Sequence, residues 1–454
     1  MWSRARAAWV VCALGLVGVL GCGPAPPDNL VFLSLDTVRQ DHLSTYGYSR
    51  ETSPRIDALA ERAVVFDNAF AQQTNTNPSH ASMFTGLYPH VHGSTFNGQR
   101  LAPERITLAQ ILRRAGFRTA GFVSGITMRR VTAGLDRGFE RYNDAFRGKR
   151  RDGLVATRLA VRWLRERRPD ERFFLFVHFY DAHGPYLPKP KYARLFTSPE
   201  GGPRLESIPP YQQLRDGAGD PLLALNDYVD RYDATIRYQD DLVASLLDEL
   251  DLSRTVVVIL SDHGETLGER FRPLDHGARA FDEQLRIPLI LWAPGLPQVR
   301  ISEYVETVDL LPTFLELLGV PLPKGLPLQG RSLLPLVRGE VTELHPVVFA
   351  QARAESSRNA DRGYELRRRS LISTVRGPRW KLILYPGVRR DYLELYDLER
   401  DPGERENRAD SEPEIRDVYL RILQEWLRQG TGVAPATPLP PEVQEQLREL
   451  GYVD

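Results

Sequence analysis

Apolar residues gather in short runs at 30–35, 119–123, 173–179, 256–260 and 288–292, each ending abruptly in polar or glycine residues. Runs of that length without polar alternation predict parallel strands buried on both faces. The stretches 55–62, 108–115, 155–167 and 232–250 instead place apolar residues three and four apart, as in Ile236, Leu242, Leu246, Leu247 and Leu250, and predict helices with one apolar face. Alternation of the two predicts an α/β fold in which a mostly parallel sheet is covered on both sides. Ligands of such sheets sit beyond the carboxyl ends of the strands. Asp36, residues 180–183 and residues 261–263 each follow a predicted strand directly, so these positions are where chemistry is expected.

The texture changes after Gly330. Shorter strand-like pieces at 347–350, 371–375, 380–384 and 393–396, then a helix near 413–428, predict a smaller α+β subdomain. The expected organisation is a signal segment over 1–22, a catalytic domain over 23–330, and a C-terminal α+β subdomain with a helical tail over 331–454. The stretch 186–218 is rich in Pro, Gly and charge and reads as a long surface excursion that walls or covers a substrate site.

Composition narrows the class. With 454 residues, 42% hydrophobic and 26% charged, the chain can bury a sizeable core, and wholesale disorder is excluded. Lys plus Arg and Asp plus Glu are both 59, so no overall field draws the protein to nucleic acid, and the basic runs at 147–151 and 367–369 read as solvated faces. Arg4 and Arg6 precede an apolar stretch, 7–21, that has the length of a signal-peptide core and is short for a membrane span. It ends Val19-Leu20-Gly21-Cys22 and is followed by Gly23-Pro-Ala-Pro-Pro27. That ending resembles a bacterial lipoprotein signal and predicts an exported protein tethered to the cell envelope through an acylated Cys22; an ordinary secretory signal is the alternative. Cys12 would leave with the signal, so the mature chain has no cysteine pair and depends on its core.

Asp36 at one strand end, and Asp262-His263-Gly-Glu265 at another, bring carboxylates and an imidazole together, a donor set that suits Ca²⁺, Mn²⁺ or Zn²⁺. An Asp after a strand is equally often the N-cap of the next helix. A third segment bears on the choice: Thr74-Asn-Thr76-Asn-Pro78-Ser-His80-Ala-Ser-Met-Phe-Thr85-Gly86, followed by Leu-Tyr-Pro-His90. Pro78 favours a helix's first turn and Gly86 its stop, which puts Thr76 at the N-terminal end. A hydroxyl there faces free backbone N–H groups and the positive end of the helix dipole, where an anionic ester also settles. Thr76 serving only as a helix cap is the alternative.

The third segment resembles the signature of the sulfatase family, within the alkaline-phosphatase-like superfamily. Thr76-Asn-Pro-Ser-His80, Thr85-Gly86 and Tyr88-Pro-His90 stand in register with it. The likeness extends to Asp36 with Tyr46-Gly-Tyr48, Phe179-Tyr-Asp-Ala-His183-Gly-Pro-Tyr186, Ser261-Asp-His-Gly-Glu265, His276-Gly-Ala-Arg279 and Glu394-Leu-Tyr-Asp397, and covers most of 29–410. It implies an α/β/α sandwich, and a metal site of Asp36, Asp262 and His263 that Thr76, the nucleophile, also touches. It further implies that His183 meets the substrate anion and can protonate a leaving oxygen. His276 stands near a lysine, and His80 at an arginine, of many sulfatases.

Two departures shape the expected chemistry. Thr37 replaces the second acid of the family's usual Asp-Asp pair, which removes one carboxylate from the ligand set and leaves the metal open between Ca²⁺ and Zn²⁺ or Mn²⁺. Sulfatases convert a Cys or Ser at the nucleophile position to formylglycine; the methyl of Thr76 forbids that aldehyde. An unmodified Thr in this setting is similar to the nucleotide pyrophosphatase/phosphodiesterase branch, in which the hydroxyl attacks phosphorus directly. That branch binds two zinc ions, and Asp181, His183 and His276 are the residues that would supply the second set. The expected function is metal-dependent hydrolysis of a phosphate, phosphonate or sulfate ester through a covalent Thr76 intermediate. His80 and the helix N-terminus would steady oxygen charge, and His183 or His276 would act as general acid. The expected substrate is a small molecule or a glycan or lipid ester outside the cytoplasm. A phosphoethanolamine-type transferase and a catalytically silent, lipid-tethered binding protein are the alternatives.

Overall fold

The structure is a computed structural model and describes residues 26–199, 202–270, 273–354, 358–359, 364–429 and 441–449. The expected signal segment 1–22, with Cys22, lies outside the described residues.

The five apolar runs are strands of one sheet whose eight members are β1 (Asn29–Leu35), β2 (Val64–Phe70), β3 (Arg118–Val123), β4 (Arg141–Asn143), β5 (Phe173–Phe179), β6 (Thr255–Leu260), β7 (Arg286–Trp292) and β8 (Val299–Glu306). Their order is β4-β3-β5-β1-β6-β7-β2-β8. All pairings are parallel except β6–β7 and β7–β2. The expectation of a parallel strand at 288–292 is thereby corrected. Among the described residues between β6 and β7, the one helix is the four-residue Asp282–Leu285, too short to carry the chain back across the sheet, so β7 starts from the end where β6 stopped.

Three strands escaped the apolar-run criterion. Asp67 and Asn68 interrupt β2 where its register shifts, β4 is three residues long, and β8 is an edge strand that alternates exposed and buried positions.

β1 shows why both faces of the sheet are covered. Leu30 and Phe32 join a core containing Ala81, Met83, Phe84, Leu108 and Phe314, whereas Val31, Leu33 and Leu35 join one containing Ile56, Ala160, Trp163, Ile236 and Leu246. Helices Thr76–Thr85, Leu108–Arg114 and Leu310–Leu317 therefore cover one face, and Pro54–Ala60, Gly153–Glu166 and Leu225–Leu247 the other. This is an α/β/α sandwich. The long excursion holds a short helix, Pro190–Ala193, and folds back on the loop after β6, where Gln212 Nε2 donates to Leu274 O at 3.1 Å.

The C-terminal part is a four-stranded antiparallel sheet of Val348–Arg353, Leu371–Arg376, Trp380–Tyr385 and Tyr392–Asp397, backed by helix Pro413–Arg428 through Leu423 and Trp426. Its first strand docks on the segment that leads to Thr76, with Gln351 N donating to Gln72 O at 2.9 Å. A buried polar cluster fixes that docking. Glu306 accepts from Phe349 N at 2.7 Å and from the Tyr88 hydroxyl at 2.6 Å, and His345 Nε2 meets Asp309 Oδ2 at 2.9 Å. Burial pushes Glu306 up to about 7. Burial works against His345, but the hydrogen bond to Asp309 and its charge outweigh it and raise the imidazole to about 9.

Candidate active site

The carboxyl ends of β1 and β6 are neighbours because these strands pair, with Ser34 opposite Leu260. Asp36, Asp262 and His263 therefore leave the sheet side by side, and one donor atom from each lies within 4.8 Å of the others. All three are fully buried. Asp36 Oδ1, Asp262 Oδ2 and His263 Nε2 have no hydrogen-bond partner among protein groups. Buried polar atoms are ordinarily satisfied, and a divalent cation among the three would satisfy them together. His263 is set for that role, since its Nδ1 donates to Gly264 O at 2.9 Å and leaves the Nε2 lone pair as the ligand. Burial and the adjacent Asp262 push Asp36 well above the usual carboxylate range. Burial of Asp262 is outweighed by the imidazoles of His263, His80 and His178, which hold it low. The residues present fit a divalent cation.

Thr37 lies beside this set with φ at 61°, a left-handed conformation that a β-branched residue rarely adopts. Its N–H donates to Asp262 Oδ1 at 3.2 Å and its carbonyl accepts from the Tyr232 hydroxyl at 2.7 Å. These bonds tie a strained turn to both the ligand set and the long helix Leu225–Leu247.

Thr76 is the first residue of helix Thr76–Thr85, every residue of which is buried. The helix carries no polar stripe, so Pro78 and Gly86 rather than periodicity announced it. Gly86 ends it at φ 66°, and a Cβ there would come within 2.5 Å of Leu328. Ser79 Oγ donates to Asp262 O at 2.7 Å, tying the helix to β6, and Thr76 Oγ1 donates to Asp36 Oδ2 at 3.2 Å. The hydroxyl thus stands at the positive end of a helix and against the carboxylate–imidazole set.

His183 and His276 approach from the other side. The His183 ring stacks on Tyr180 at 4.2 Å and meets His276 edge-on at 4.9 Å; His276 lies 4.6 Å from His263. Burial, reinforced by His276, holds His183 well below its ordinary pKa, and its Nδ1 donates to Gly184 O at 2.9 Å. Burial also acts against the charged form of His276, but Glu265 overcomes it and lifts His276 to about 9. The pair is direct: His276 Nδ1 lies 2.9 Å from Glu265 Oε1, while the Tyr186 hydroxyl donates to Glu265 Oε2 at 2.7 Å. Tyr186 opens the excursion, so the wall of the site and His276 share one carboxylate.

His80 is buried behind Thr76. Its Nδ1 lies 2.7 Å from Thr76 O and its Nε2 2.8 Å from Ser34 Oγ, and burial lowers it to about 4. His178, which sequence reasoning passed over, lies 3.0 Å from Asp36 Oδ2 and is likewise lowered to about 4 by burial. Its signal was available as the one polar side chain in the apolar run of β5, directly opposite Ser34 of β1. Asp181 is not brought to the reaction centre. Its Oδ1 accepts from Gly153 N at 3.1 Å beneath helix Gly153–Glu166.

A hydroxyl at the start of a buried helix, a carboxylate–imidazole set and two histidines gather above the carboxyl ends of an α/β sheet, an arrangement of the ester-hydrolase class. Comparison with known proteins gives the family. The sulfatase family model matches residues 28–320, and the C-terminal model of N-sulphoglucosamine sulphohydrolase matches 276–430. The chain belongs to the sulfatase family. It is similar to a Delta 4,5-hexuronate-2-O-sulfatase of Bacteroides thetaiotaomicron, 26% identical over 90% of each chain. It is also similar to the N-sulphoglucosamine sulphohydrolase of Homo sapiens, 29% identical over 72% of this chain and 69% of that one. Among solved structures, the phosphonate monoester hydrolase of Agrobacterium radiobacter superposes with a TM-score of 0.71, at 22% identity over 89% of this chain and 95% of that one, and shares the fold. The architecture is alkaline-phosphatase-like.

Proposed function

We propose that this protein is a metal-dependent hydrolase that cleaves phosphate or phosphonate esters through a covalent intermediate on Thr76. The observation that carries the proposal is the Thr76 hydroxyl, held against Asp36 Oδ2 at the start of a buried helix. Asp36, Asp262, His263 and Thr76 would hold the cation, which when bound supplies Lewis acidity toward the hydroxyl and an ester oxygen. Asp36 Oδ2 receives the Thr76 proton. The Thr76 oxygen bonds to phosphorus as the bond to the leaving oxygen breaks, and the positive end of the helix dipole at Thr76 favours the charge on the remaining oxygens. His276, oriented by Glu265, gives its proton to the leaving oxygen, and His183 packs against its ring. Water then attacks phosphorus and gives a proton to His276, while the bond between phosphorus and the Thr76 oxygen breaks and Asp36 returns its proton to Thr76. A threonine phosphoester is open to that attack, whereas a threonine sulfate ester lacks the elimination route of an aldehyde hydrate.

Sulfate ester hydrolysis is the second reading, and the names of the similar hexuronate and glucosamine sulfatases favour it. Either substrate would be a small molecule or a glycan or lipid ester met outside the cytoplasm, with the protein tethered by acylated Cys22. Arg4, Arg6 and the apolar run before Cys22 support export. A phosphoethanolamine-type transferase shares the threonine nucleophile but generally brings several membrane spans, and among the described residues no helix is long and apolar enough to cross a membrane.

The test is turnover of aryl phosphate, phosphonate, phosphodiester and aryl sulfate substrates by the full chain with Ca²⁺, Mn²⁺ or Zn²⁺. The expected outcome is phosphorus esters ahead of sulfate, abolished by Thr76→Ala with metal content and folding retained. Dominant sulfate hydrolysis selects the second reading, and wild-type rates in Thr76→Ala remove the nucleophile. Metal bound without any turnover returns the silent binding protein.

A further inference from the structure

His80, His178 and Asp262 also bring one donor atom each within 4.8 Å of one another, compact enough for an ion of their own next to the first set. Their bonding points elsewhere. The Thr76 carbonyl can only accept, so the His80 nitrogen facing it at 2.7 Å, Nδ1, carries the proton. Nε2 then accepts from the Ser34 hydroxyl at 2.8 Å, and both ring nitrogens are committed. His80 Nδ1 stands 3.7 Å from Asp262 Oδ2, beyond a hydrogen bond. A carboxylate that ligates a cation also accepts, so His178 Nε2 donates to Asp36 Oδ2. What remains is His178 Nδ1 and Asp262 Oδ2, two donors where a zinc site needs about four.

We infer that His80 and His178 are positioning residues of a one-metal centre, His178 fixing the Asp36 carboxylate through Nε2 and His80 fixing the Thr76 turn, rather than ligands of a second ion. Asp36 Oδ2 is shared by His178 and Thr76, which turns Oδ1, the oxygen without a protein partner, toward Asp262 and His263. The pairing of β1 with β5 supplies the rigidity. It sets Ser34 opposite His178, and the His80 ring meets the His178 ring edge-on at 5.2 Å, so one strand pair holds both imidazoles. Hydrogen-bond partners that orient ligating carboxylates typically influence metal affinity about 10- to 100-fold.

The inference rests on reading Asp36 as a metal ligand, and the experiment separates the two. In the full chain, His178→Gln places an amide N–H near the Nε2 position, whereas His178→Asn reaches only the Nδ1 position. Both are amides of similar polarity. Chelator-stripped proteins are titrated with Mn²⁺ and with Zn²⁺ by calorimetry, bound metal is counted by elemental analysis, and kcat and KM are measured on the preferred aryl ester. The expected result is one ion per wild-type chain, affinity within ~3-fold of wild type for His178→Gln, and affinity about 10- to 100-fold weaker for His178→Asn, with the loss mainly in kcat. Two ions in the wild type with one lost in His178→Asn would overturn the inference, as would equal affinities in the two variants. A wild type that binds no ion refutes the ligand reading of Asp36 itself. Ser34→Ala tests His80 without touching a ligand. Metal count should stay at one while kcat falls several-fold, and an unchanged kcat removes His80 from the scaffold.

Discussion

The Thr76 hydroxyl donates to Asp36 Oδ2 at 3.2 Å, joining the start of a buried helix to the end of β1. One bond couples the proposed nucleophile to the proposed cation site, so disturbing either should be felt at both.

Metal removal tests that coupling first. Exhaustive chelation should abolish turnover and a single divalent ion should restore it. Asp36→Ala and His263→Ala should each weaken binding of that ion by more than about 100-fold, because each removes a donor rather than a donor's support. Full activity in protein shown by elemental analysis to be metal-free would refute metal dependence.

Glu265 should matter through His276. Glu265→Gln keeps an acceptor for the His276 Nδ1 proton and should cost only a few-fold in kcat. Glu265→Leu removes the acceptor and should cost about 10²- to 10⁴-fold, the usual worth of a positioned general acid. Circular dichroism controls for folding, and indistinguishable kinetics of the two variants would count against the dyad.

Thr37, where the resemblance to the family's Asp-Asp pair implies an acid, sits in a left-handed turn. Asp tolerates that conformation better than Thr and adds a hard oxygen donor beside Asp262. Thr37→Asp should therefore strengthen Ca²⁺ binding relative to Zn²⁺ by about tenfold or more, measured by competitive titration. An unchanged preference would place the residue outside the ligand sphere.

The junction with the C-terminal sheet predicts a pH dependence of stability. His345 rises from its ordinary 6.5 to about 9 on folding, so between those values the native state holds a proton that the unfolded chain has lost. Its contribution is complete below the lower value and is lost as pH climbs through the upper one. The decline should amount to roughly 1–3 kcal/mol. Glu306, raised to about 7, adds a decline of the same sign at lower pH. Melting temperatures recorded from pH 6 to 10 should flatten in His345→Leu, and an unaltered slope would exclude the His345–Asp309 pair as its source.

The sequence by itself determined the sandwich and marked three residues that the fold brings together. Apolar runs are the local consequence of burial on both faces, so β1, β3, β5 and β6 were legible, and the polar residues that end them marked Asp36, Asp262 and His263. The direction of β7 was not legible, because its apolar run carries no record of the short return from β6 that makes it antiparallel. Edge strand β8 escaped because exposure on one side lets polar residues in. Only the tertiary structure decided the hydrogen bonds: His178 on Asp36, His80 on Thr76 and Ser34, Glu265 between Tyr186 and His276. Apart from His80 and Thr76, which lie one turn apart in a helix, those partners are far apart in the chain or separated by a loop whose path the residues do not specify. A histidine's task is set by which of its two nitrogens is engaged and by what, and that is fixed when strand pairing and helix docking bring the partners within hydrogen-bond reach.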